Sequence, residues 1–276
     1  MVLRLEIKWL KEKHVYKVAV LGCGNMPQAL LKKADGFKFF TYTPSSDRAE
    51  VLAKQLDGEV ITSLKDISEV DIVLLACKPQ QFNELAQDIK SLLKPEMFVI
   101  SMLAGVDLES LQDGLAHKNT VRIMPNITAK IGKGSLLIYP ELTDENSAKM
   151  AFLKELSAFY PLANETAFDE LMLVTGSGPA YIFYLVRSIE KYLENKGHNA
   201  SLYREAILDT FSGALDIMKN ESDLSSSQLI ERVASKGGVT QEALAYFSEH
   251  NFDAIVEGGL IKGVKRSKAL QDAVRK

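Results

Sequence analysis

Short apolar runs alternate with helix-like segments through the first half of the chain. The runs are rich in apolar and β-branched residues and cover Val15–Leu21, Phe37–Tyr42, Asp71–Cys77, Met97–Leu103 and Thr120–Met124. Segments of helical pattern separate them, such as Asp47–Leu56 and Gln80–Leu93. Buried strands that alternate with helices are typical of a parallel sheet with crossover helices. The first half therefore predicts an α/β domain with a mostly parallel sheet.

The second half lacks strand patterns from Thr166 onward and contains long helical patterns instead. These cover Gly178–Asn195, Asn199–Lys219, Ser225–Ala234, Gln241–Ser248 and Phe252–Arg275. A bundle with so much apolar surface is expected to bury part of it against a second subunit. We therefore predict two domains, an α/β domain over residues 1–165 and an all-α C-terminal dimerisation domain over residues 166–276.

A glycine-rich turn, Gly22-Cys23-Gly24-Asn25-Met26-Pro27, follows the first apolar run. Gly22 permits a tight turn, and Gly24 lets the backbone approach a pyrophosphate whose charge is met by the N-terminus of the next helix. Pro27 stands at the third glycine position of the GxGxxG pattern, where it departs from the motif but still suits a first helical turn. The turn predicts a Rossmann-type dinucleotide-binding domain.

Polar residues after the second apolar run bear on which dinucleotide is bound. Thr43, Ser45 and Ser46 precede the first carboxylate, Asp47, and Arg48 follows it. Hydroxyl and guanidinium groups favour a 2′-phosphate over a bare ribose, although these residues are equally suited to cap a helix. NADPH is the expected cofactor, with NADH left possible.

Two further loops stand where a parallel sheet binds ligands, beyond the carboxyl ends of its strands. They are Ala76–Pro79, in which Pro79 fixes the position of Lys78, and Ser101–Gly105. Both loops are expected to contact the cofactor.

Two glycine motifs mark the helical half. Gly176-Ser177-Gly178-Pro179-Ala180-Tyr181 predicts a helix start whose free N–H groups and Ser177 hydroxyl face a ligand; the alternative is a linker before a packing helix. The loop Ala234–Thr240 places Gly237-Gly238 before a helix that Thr240 could cap, which offers N–H groups to a carboxylate. Together the two motifs predict a two-loop substrate site.

Composition narrows the function classes. The 276-residue chain has a net charge of −3 and no long run of Lys or Arg, which argues against nucleic-acid binding. Charged residues interrupt the apolar residues of Met1–His14, so we expect neither a signal peptide nor a membrane span. Cys23 and Cys77 form no CxxC pair, and the cytoplasm is the expected compartment. Both thiols are expected to be inert packing groups rather than a redox switch.

Six motifs together resemble pyrroline-5-carboxylate reductase over nearly the whole chain after residue 15. They are Gly22–Met26, Ala76–Gln80, Ser101–Val106, Arg122–Asn126, Gly176–Tyr181 and Ser235–Thr240. The resemblance implies NAD(P)H-dependent reduction of the cyclic imine 1-pyrroline-5-carboxylate to L-proline, the last step of proline biosynthesis. It also implies a homodimer or larger homo-oligomer, with the active site formed at a dimer of helical domains.

The resemblance assigns site residues position by position. The expected cofactor residues are Leu21, Gly22, Cys23, Gly24, Asn25, Met26, Thr43, Ser45, Ser63, Ala76, Cys77, Lys78, Pro79, Met102, Leu103 and Ala104. The expected substrate residues are Glu165, Ser177, Gly237, Gly238, Val239 and Thr240. Glu165 and Thr240 are the candidate catalytic groups at the imine nitrogen, with Thr240 as a proton donor. The four histidines lie outside the motifs, so neither a histidine mechanism nor a metal is expected.

Three residues depart from the family pattern in the substrate loop and leave the preferred imine open. Lys236 replaces a proline, Val239 replaces a small or hydroxyl residue, and Arg232 stands where Asn or Gln is common. Two alternatives remain at this point. One is a related imine or β-hydroxyacid dehydrogenase, although the latter would want a lysine within Ala180–Ile189, which contains none. The other is a non-catalytic NADP-binding protein.

Overall fold

The computed structural model of the protein describes residues 15–142 and 148–274. The predictions for Met1–His14 lie outside these ranges. The chain divides into two compact units, one formed by Met1–Ser177 with Gly263–Lys276 and the other by Gly178–Lys262. Within the described ranges, no helix is both long enough and apolar enough to cross a membrane.

The first unit contains an eight-stranded sheet in the order β3-β2-β1-β4-β5-β6-β7-β8. Its strands are β1 (Lys17–Leu21), β2 (Lys38–Tyr42), β3 (Glu59–Val60), β4 (Ile72–Leu75), β5 (Phe98–Ser101), β6 (Thr120–Met124), β7 (Ser135–Tyr139) and β8 (Ala158–Pro161). Neighbouring strands are parallel except β6 and β7, which are antiparallel. The predicted Rossmann-type, mostly parallel sheet is confirmed.

Helices follow most strands of the sheet and then make up the rest of the chain. Those of the first half are α1 (Asn25–Leu31), α2 (Ser46–Leu56), α3 (Phe82–Ile89), α4 (Leu108–Leu115) and α5 (Ala148–Leu156). The long ones that follow are α6 (Glu165–Asn195), α7 (Ala200–Asn220), α8 (Ser226–Val233), α9 (Val239–Glu249) and α10 (Phe252–Val274). The helical character of the second half is confirmed.

The sheet is buried on both faces, which explains its continuous apolar runs. Val18 and Val20 of β1 point into one core cluster, whereas Ala19 and Leu21 point into another. Successive side chains of a strand alternate between the two faces, so the apolar residues of β1 serve both clusters and form a continuous run.

The motif Gly176–Tyr181 is not a helix start, and that prediction was wrong. Helix α6 runs for 31 residues and contains Pro179 in its interior. Because proline has no N–H, Pro179 cannot donate the helical hydrogen bond that the carbonyl oxygen of Thr175, four residues earlier, would accept. The side-chain amide of Asn126 donates to that carbonyl oxygen at 3.0 Å. The helix therefore continues through the proline because a side chain from outside it replaces the missing donor.

The expected helix caps also differ from those observed. Helix α9 begins at Val239, and its N-cap is Gly238 rather than Thr240, which is the second helical residue. Ser45 is the N-cap of α2, as its position allowed, but its hydroxyl makes no capping hydrogen bond. Thr240 thus places its hydroxyl in the first turn of α9 instead of closing the turn before it.

Candidate active site

The three loops expected to bind the cofactor lie side by side at one edge of the sheet. In the parallel register, Leu21 pairs with Leu75, and Leu75 pairs with Ser101. The chain leaves these three strands at Gly22, Ala76 and Met102, in neighbouring positions. The sheet therefore brings together the sequence-predicted segments that begin at those residues.

Gly22 is required by the close approach of two of these loops. Its φ is +110°, and a Cβ atom there would lie 2.4 Å from the carbonyl carbon of Ala76. Its N–H donates to the carbonyl oxygen of Tyr42 at 2.8 Å. The turn after β1 is therefore packed against the end of β4 without room for a side chain.

Gly24 serves a different purpose, because it borders open space. It is the N-cap of α1, with φ −74° and ψ −172°, and a Cβ atom there would meet no heavy atom within 4 Å. The first backbone N–H to donate to the carbonyl oxygen of Gly24 is that of Gln28, at 3.4 Å. The amides of Asn25 and Met26 precede that bond and Pro27 has none, so this turn fits a pyrophosphate.

A cavity opens at the carboxyl ends of β1 and β2, beside the glycine turn. It is lined by Leu21, Gly22, Tyr42, Thr43, Pro44, Leu64, Cys77, Gln81, Glu84, Leu85 and Asp88. Four of the predicted cofactor residues are among them, including Thr43. Sequence reasoning missed the two carboxylates on α3, Glu84 and Asp88. A helix-like pattern alone did not show which of its faces borders the cavity.

The other predicted cofactor residues differ in what they can offer. The side chains of Leu21, Cys23 and Leu103 are buried in the core, so these residues can present only backbone atoms to a ligand. Lys78 and Ala104 are exposed. The Ser63 hydroxyl accepts a hydrogen bond from the backbone N–H of Lys65 at 3.2 Å, which caps a 3₁₀ turn.

The two thiols lie close to the cofactor loops, and their surroundings disfavour the reactive thiolate. Burial raises the pKa of the Cys23 thiol to about 11, and the thiol donates a hydrogen bond to the carbonyl oxygen of Tyr42 at 3.5 Å. Burial likewise raises the pKa of the Cys77 thiol to about 11. A thiol is nucleophilic as its thiolate, so both are expected to be unreactive at neutral pH.

We expect iodoacetamide to alkylate the folded protein slowly at neutral pH. Relative to a thiol of pKa 9.0, a pKa of about 11 lowers the thiolate fraction by about 100-fold. Mass spectrometry should show little adduct on either cysteine at neutral pH, more as the pH approaches 11, and complete reaction in urea. Rapid labelling of the folded protein at neutral pH would contradict this prediction.

Glu165, a predicted substrate and catalytic residue, is the first residue of α6 and lies against the sheet. Its Oε1 accepts hydrogen bonds from the backbone N–H of Leu108 at 2.7 Å and from Nη1 of Arg122 at 2.5 Å. Leu108 is the first residue of α4, so the carboxylate also meets the positive end of a helix. Much of its charge is therefore compensated within the protein.

Arg122 is the centre of the polar network around Glu165. Its side chain is 1% exposed, and Nη2 donates to Oδ1 of Asp169 at 2.9 Å. The guanidinium lies over the ring of Phe168, with Cζ 4.4 Å from the ring centroid. Oδ2 of Asp169 in turn accepts from the side chain of Gln271 in α10, at 3.0 Å. The network fastens the start of α6 and the end of α10 to β6.

Sequence reasoning assigned no role to Arg122 or Asn126, although both belong to a motif it identified. The amide of Asn126 donates to Ser135 and Thr175 at 3.0 Å each, and its oxygen accepts from Thr128 at 2.7 Å. An arginine within an apolar strand was the available signal, since a buried charge needs a partner. Its partners lie more than 40 positions away in sequence.

Ser177, predicted to stand at a helix start, lies inside α6. Its backbone N–H therefore belongs to a helix interior and not to the first turn of a helix. A substrate role for Ser177 would depend on its hydroxyl alone.

The second glycine motif, Ser235–Thr240, joins α8 to α9 and includes the first two residues of α9. Gly237 has φ +70°, and its N–H donates to Oε1 of Gln241 at 2.6 Å. The N–H of Gly238 donates to the carbonyl of Ser235 at 2.9 Å. The exposed side chains of Val239 and Thr240 follow in the first turn of α9. Sequence reasoning did not identify Gln241 as a partner of the loop.

Two family models match separate parts of the chain. Residues 17–105 match a model described as NADP oxidoreductase coenzyme F420-dependent. Residues 165–270 match a model described as pyrroline-5-carboxylate reductase dimerisation.

Curated relatives and solved structures match over most of their length. The pyrroline-5-carboxylate reductase of Vibrio alginolyticus is 30% identical over 265 residues, which cover 92% of this chain and 97% of the relative. That of Pseudomonas aeruginosa is 30% identical over 268 residues, covering 93% and 97%. The crystal structure of 1-pyrroline-5-carboxylate reductase from Streptococcus pyogenes has a TM-score of 0.81 at 26% identity, covering 92% of this chain and 99% of that one. A pyrroline carboxylate reductase of Plasmodium falciparum with NADP bound has the same fold, with a TM-score of 0.81 at 24% identity over 93% and 98%.

Proposed function

Because this chain belongs to the pyrroline-5-carboxylate reductase family, we propose that it reduces 1-pyrroline-5-carboxylate to L-proline with NADPH as the hydride donor. The observation that carries the proposal is the row of three loops that leave β1, β4 and β5 at one edge of the sheet. That arrangement suits a dinucleotide, and its residues are those that the family resemblance assigns to the cofactor.

The sheet unit is proposed to bind and orient the cofactor. The turn Gly22–Met26 holds the pyrophosphate, Thr43 and Ser45 face the ribose phosphate, and the loops from Ala76 and Met102 contact the remainder. When bound, NADPH supplies the hydride for the imine carbon. The protein contributes alignment and a positive environment, since little covalent chemistry is required of its side chains.

The loop before α9 is proposed to bind the substrate. The first turn of a helix presents free N–H groups and a partial positive charge, which suit the carboxylate of the imine. Gly237, Gly238 and Val239 shape this turn, and the hydroxyl of Thr240 is proposed to donate a proton to the imine nitrogen. Ser177 remains a proposed substrate contact through its hydroxyl.

Glu165 is proposed to stabilise positive charge on the protonated imine. The pairing of its Oε1 with Arg122 weakens the field that this carboxylate can exert. Thr240 is therefore the stronger candidate for the proton transfer, and Glu165 has a second role in placing the start of α6. We also propose that residues 1–165 and 166–276 are the functional domains, since α6 begins at Glu165.

The helical domain is proposed to form the contact between subunits. Large apolar side chains are exposed on its helices, with Phe183 64%, Leu202 73% and Ile255 65% exposed. Exposed apolar patches of this kind mark protein interfaces. The matched family model describes this part of the chain as a dimerisation domain, residues 165–270. We further propose a cytoplasmic location, because Cys23 and Cys77 are both free thiols, as a reducing compartment would keep them.

The direct test mixes purified protein with NADPH and 1-pyrroline-5-carboxylate. We expect imine-dependent loss of NADPH absorbance and formation of L-proline, identified by mass spectrometry. A parallel assay with NADH checks the cofactor. If neither cofactor is oxidised at any pH tested, the proposed function is wrong; if NADH is preferred by a wide margin, the assignment of Thr43 and Ser45 is wrong.

Thr240→Ala is expected to lower kcat/KM for the imine by about 100-fold, because proton transfer by a positioned group contributes about that much. The KM for NADPH should stay within about twofold, since Thr240 lies on α9 and not in the cofactor loops. Thr240→Ser restores the hydroxyl and serves as the matched control. Loss of NADPH binding in Thr240→Ala would show that Thr240 has been misplaced.

A further inference from the structure

The Gly237-Gly238 turn is closed by hydrogen bonds within its own loop and the first turn of α9. The N–H of Gly237 donates to Oε1 of Gln241 at 2.6 Å. The N–H of Gly238 donates to the carbonyl of Ser235 at 2.9 Å. Both glycine amides are therefore already paired within the loop, and a substrate carboxylate would have to meet the amides that follow them.

The amides that follow are those of the first turn of α9. The first backbone N–H to bond back to the carbonyl of the N-cap, Gly238, is that of Glu242, at 3.3 Å. The N–H groups of Val239 and Thr240 precede that bond, so the helix itself supplies no acceptor for them. Their direction depends on the peptide units just before them, which belong to two glycines.

Two glycines in the preceding turn restrict the direction of these two N–H groups only weakly. Gly237 has φ +70°, a left-handed conformation that glycine enters and leaves readily. The carboxamide of Gln241 reaches back from the first turn of the helix to the N–H of this residue. It thereby ties the glycine end of the turn to the helix.

We propose that Gln241 is a positioning residue for the substrate. Its carboxamide holds Gly237 so that the amides of Val239 and Thr240 stay aligned for the carboxylate of the imine, and it does so without contacting the substrate. This proposal rests on the proposed function, because the carboxylate that the amides receive is that of 1-pyrroline-5-carboxylate.

The test is steady-state kinetics of Gln241→Met, which keeps the side-chain length and removes the amide oxygen. Losing one hydrogen bond that orders the loop should raise the KM for 1-pyrroline-5-carboxylate by about three- to tenfold. The kcat should stay within about twofold, because the loop holds the carboxylate equally in the ground and transition states. The KM for NADPH should not change.

Gln241→Glu is the rescue variant. Its carboxylate oxygen still accepts from Gly237, although its charge repels the substrate anion. At about 1 M salt, where the screening length is about 3 Å, its KM should return to within about twofold of the wild-type value at the same salt. Glu242→Gln, in the next position of the same turn, is the control and should not raise the KM.

The outcomes separate this proposal from the function on which it rests. A wild-type protein that does not turn over the imine refutes the proposed function before any variant is compared. If the wild type is active, an unchanged KM in Gln241→Met overturns the positioning role. A lowered KM also overturns it, because Gln241 would then compete with the carboxylate, and so does a fall in kcat alone.

Discussion

Arg122→Met is expected to lower the free energy of unfolding by about 3 kcal/mol, the usual effect of removing one partner from a buried ion pair. The substitution leaves the carboxylates of Glu165 and Asp169 without their cation, although their side chains are only 27% and 26% exposed. It also removes the group that joins β6 to the start of α6. We therefore expect the unit that contains the sheet to be less stable and Glu165 to be held less firmly in place.

Thermal and urea unfolding, at one fixed concentration because oligomer stability depends on it, measure this effect. Lys38→Met is the control, since Lys38 and Glu59 form an ion pair whose side chains are 46% and 62% exposed. Loss of this exposed ion pair should lower the free energy of unfolding by less than about 1 kcal/mol. A double-mutant cycle with Asp169→Asn should show coupling between the two sites. Equal effects of Arg122→Met and Lys38→Met would contradict the central role of Arg122.

Gly22→Ala is expected to weaken NADPH binding by at least about 100-fold and to lower the Tm as well. Its Cβ would lie 2.4 Å from the carbonyl carbon of Ala76, and its φ of +110° is strained for any side chain. Backbone strain and a forced shift each cost on the order of 1–3 kcal/mol. Because the clash is with backbone, the ends of β1 and β4 must separate, which disrupts two of the proposed cofactor loops together.

Gly24→Ala is the matched comparison, two residues along the same turn. Its φ of −74° suits alanine, and the new Cβ meets no heavy atom within 4 Å. The Tm should therefore be unchanged, whereas NADPH binding should weaken because the methyl group occupies space proposed for the pyrophosphate. Fluorescence titration with NADPH and thermal unfolding distinguish the two variants. If both lower the Tm equally, the two glycines do not have the separate roles assigned to them.

The motif Gly176–Tyr181 shows where local sequence reasoning fails. A proline that follows glycines and precedes an apolar pattern is compatible with a helix start and with a helix interior. In either case a backbone amide or carbonyl lacks a partner within the helix and must find one elsewhere. The decision lies with Asn126, 49 positions away, whose amide satisfies the carbonyl of Thr175. No window around Pro179 contains that information.

The predicted cap of α9 was wrong for a related reason, over a shorter distance in sequence. Thr240 has the residue type of a cap, but Gly238 is the N-cap, and the two glycines are hydrogen-bonded to Gln241 and Ser235. The choice between two caps two residues apart depends on side-chain hydrogen bonds that residue type alone does not predict.

The sequence by itself determined five strands of the mostly parallel sheet, the helical second half and the glycine turn after β1; it did not indicate β3, β7 or β8. Apolar periodicity is a local property that burial of both sheet faces requires, and the conformational freedom of Gly22 is a local property that the turn after β1 requires. Only the tertiary structure decided which distant groups pair: Arg122 with Glu165 and Asp169, and Asn126 with the helix that crosses Pro179. A buried charge or an unsatisfied carbonyl demands a partner, but the sequence does not say which residue the fold will bring to it.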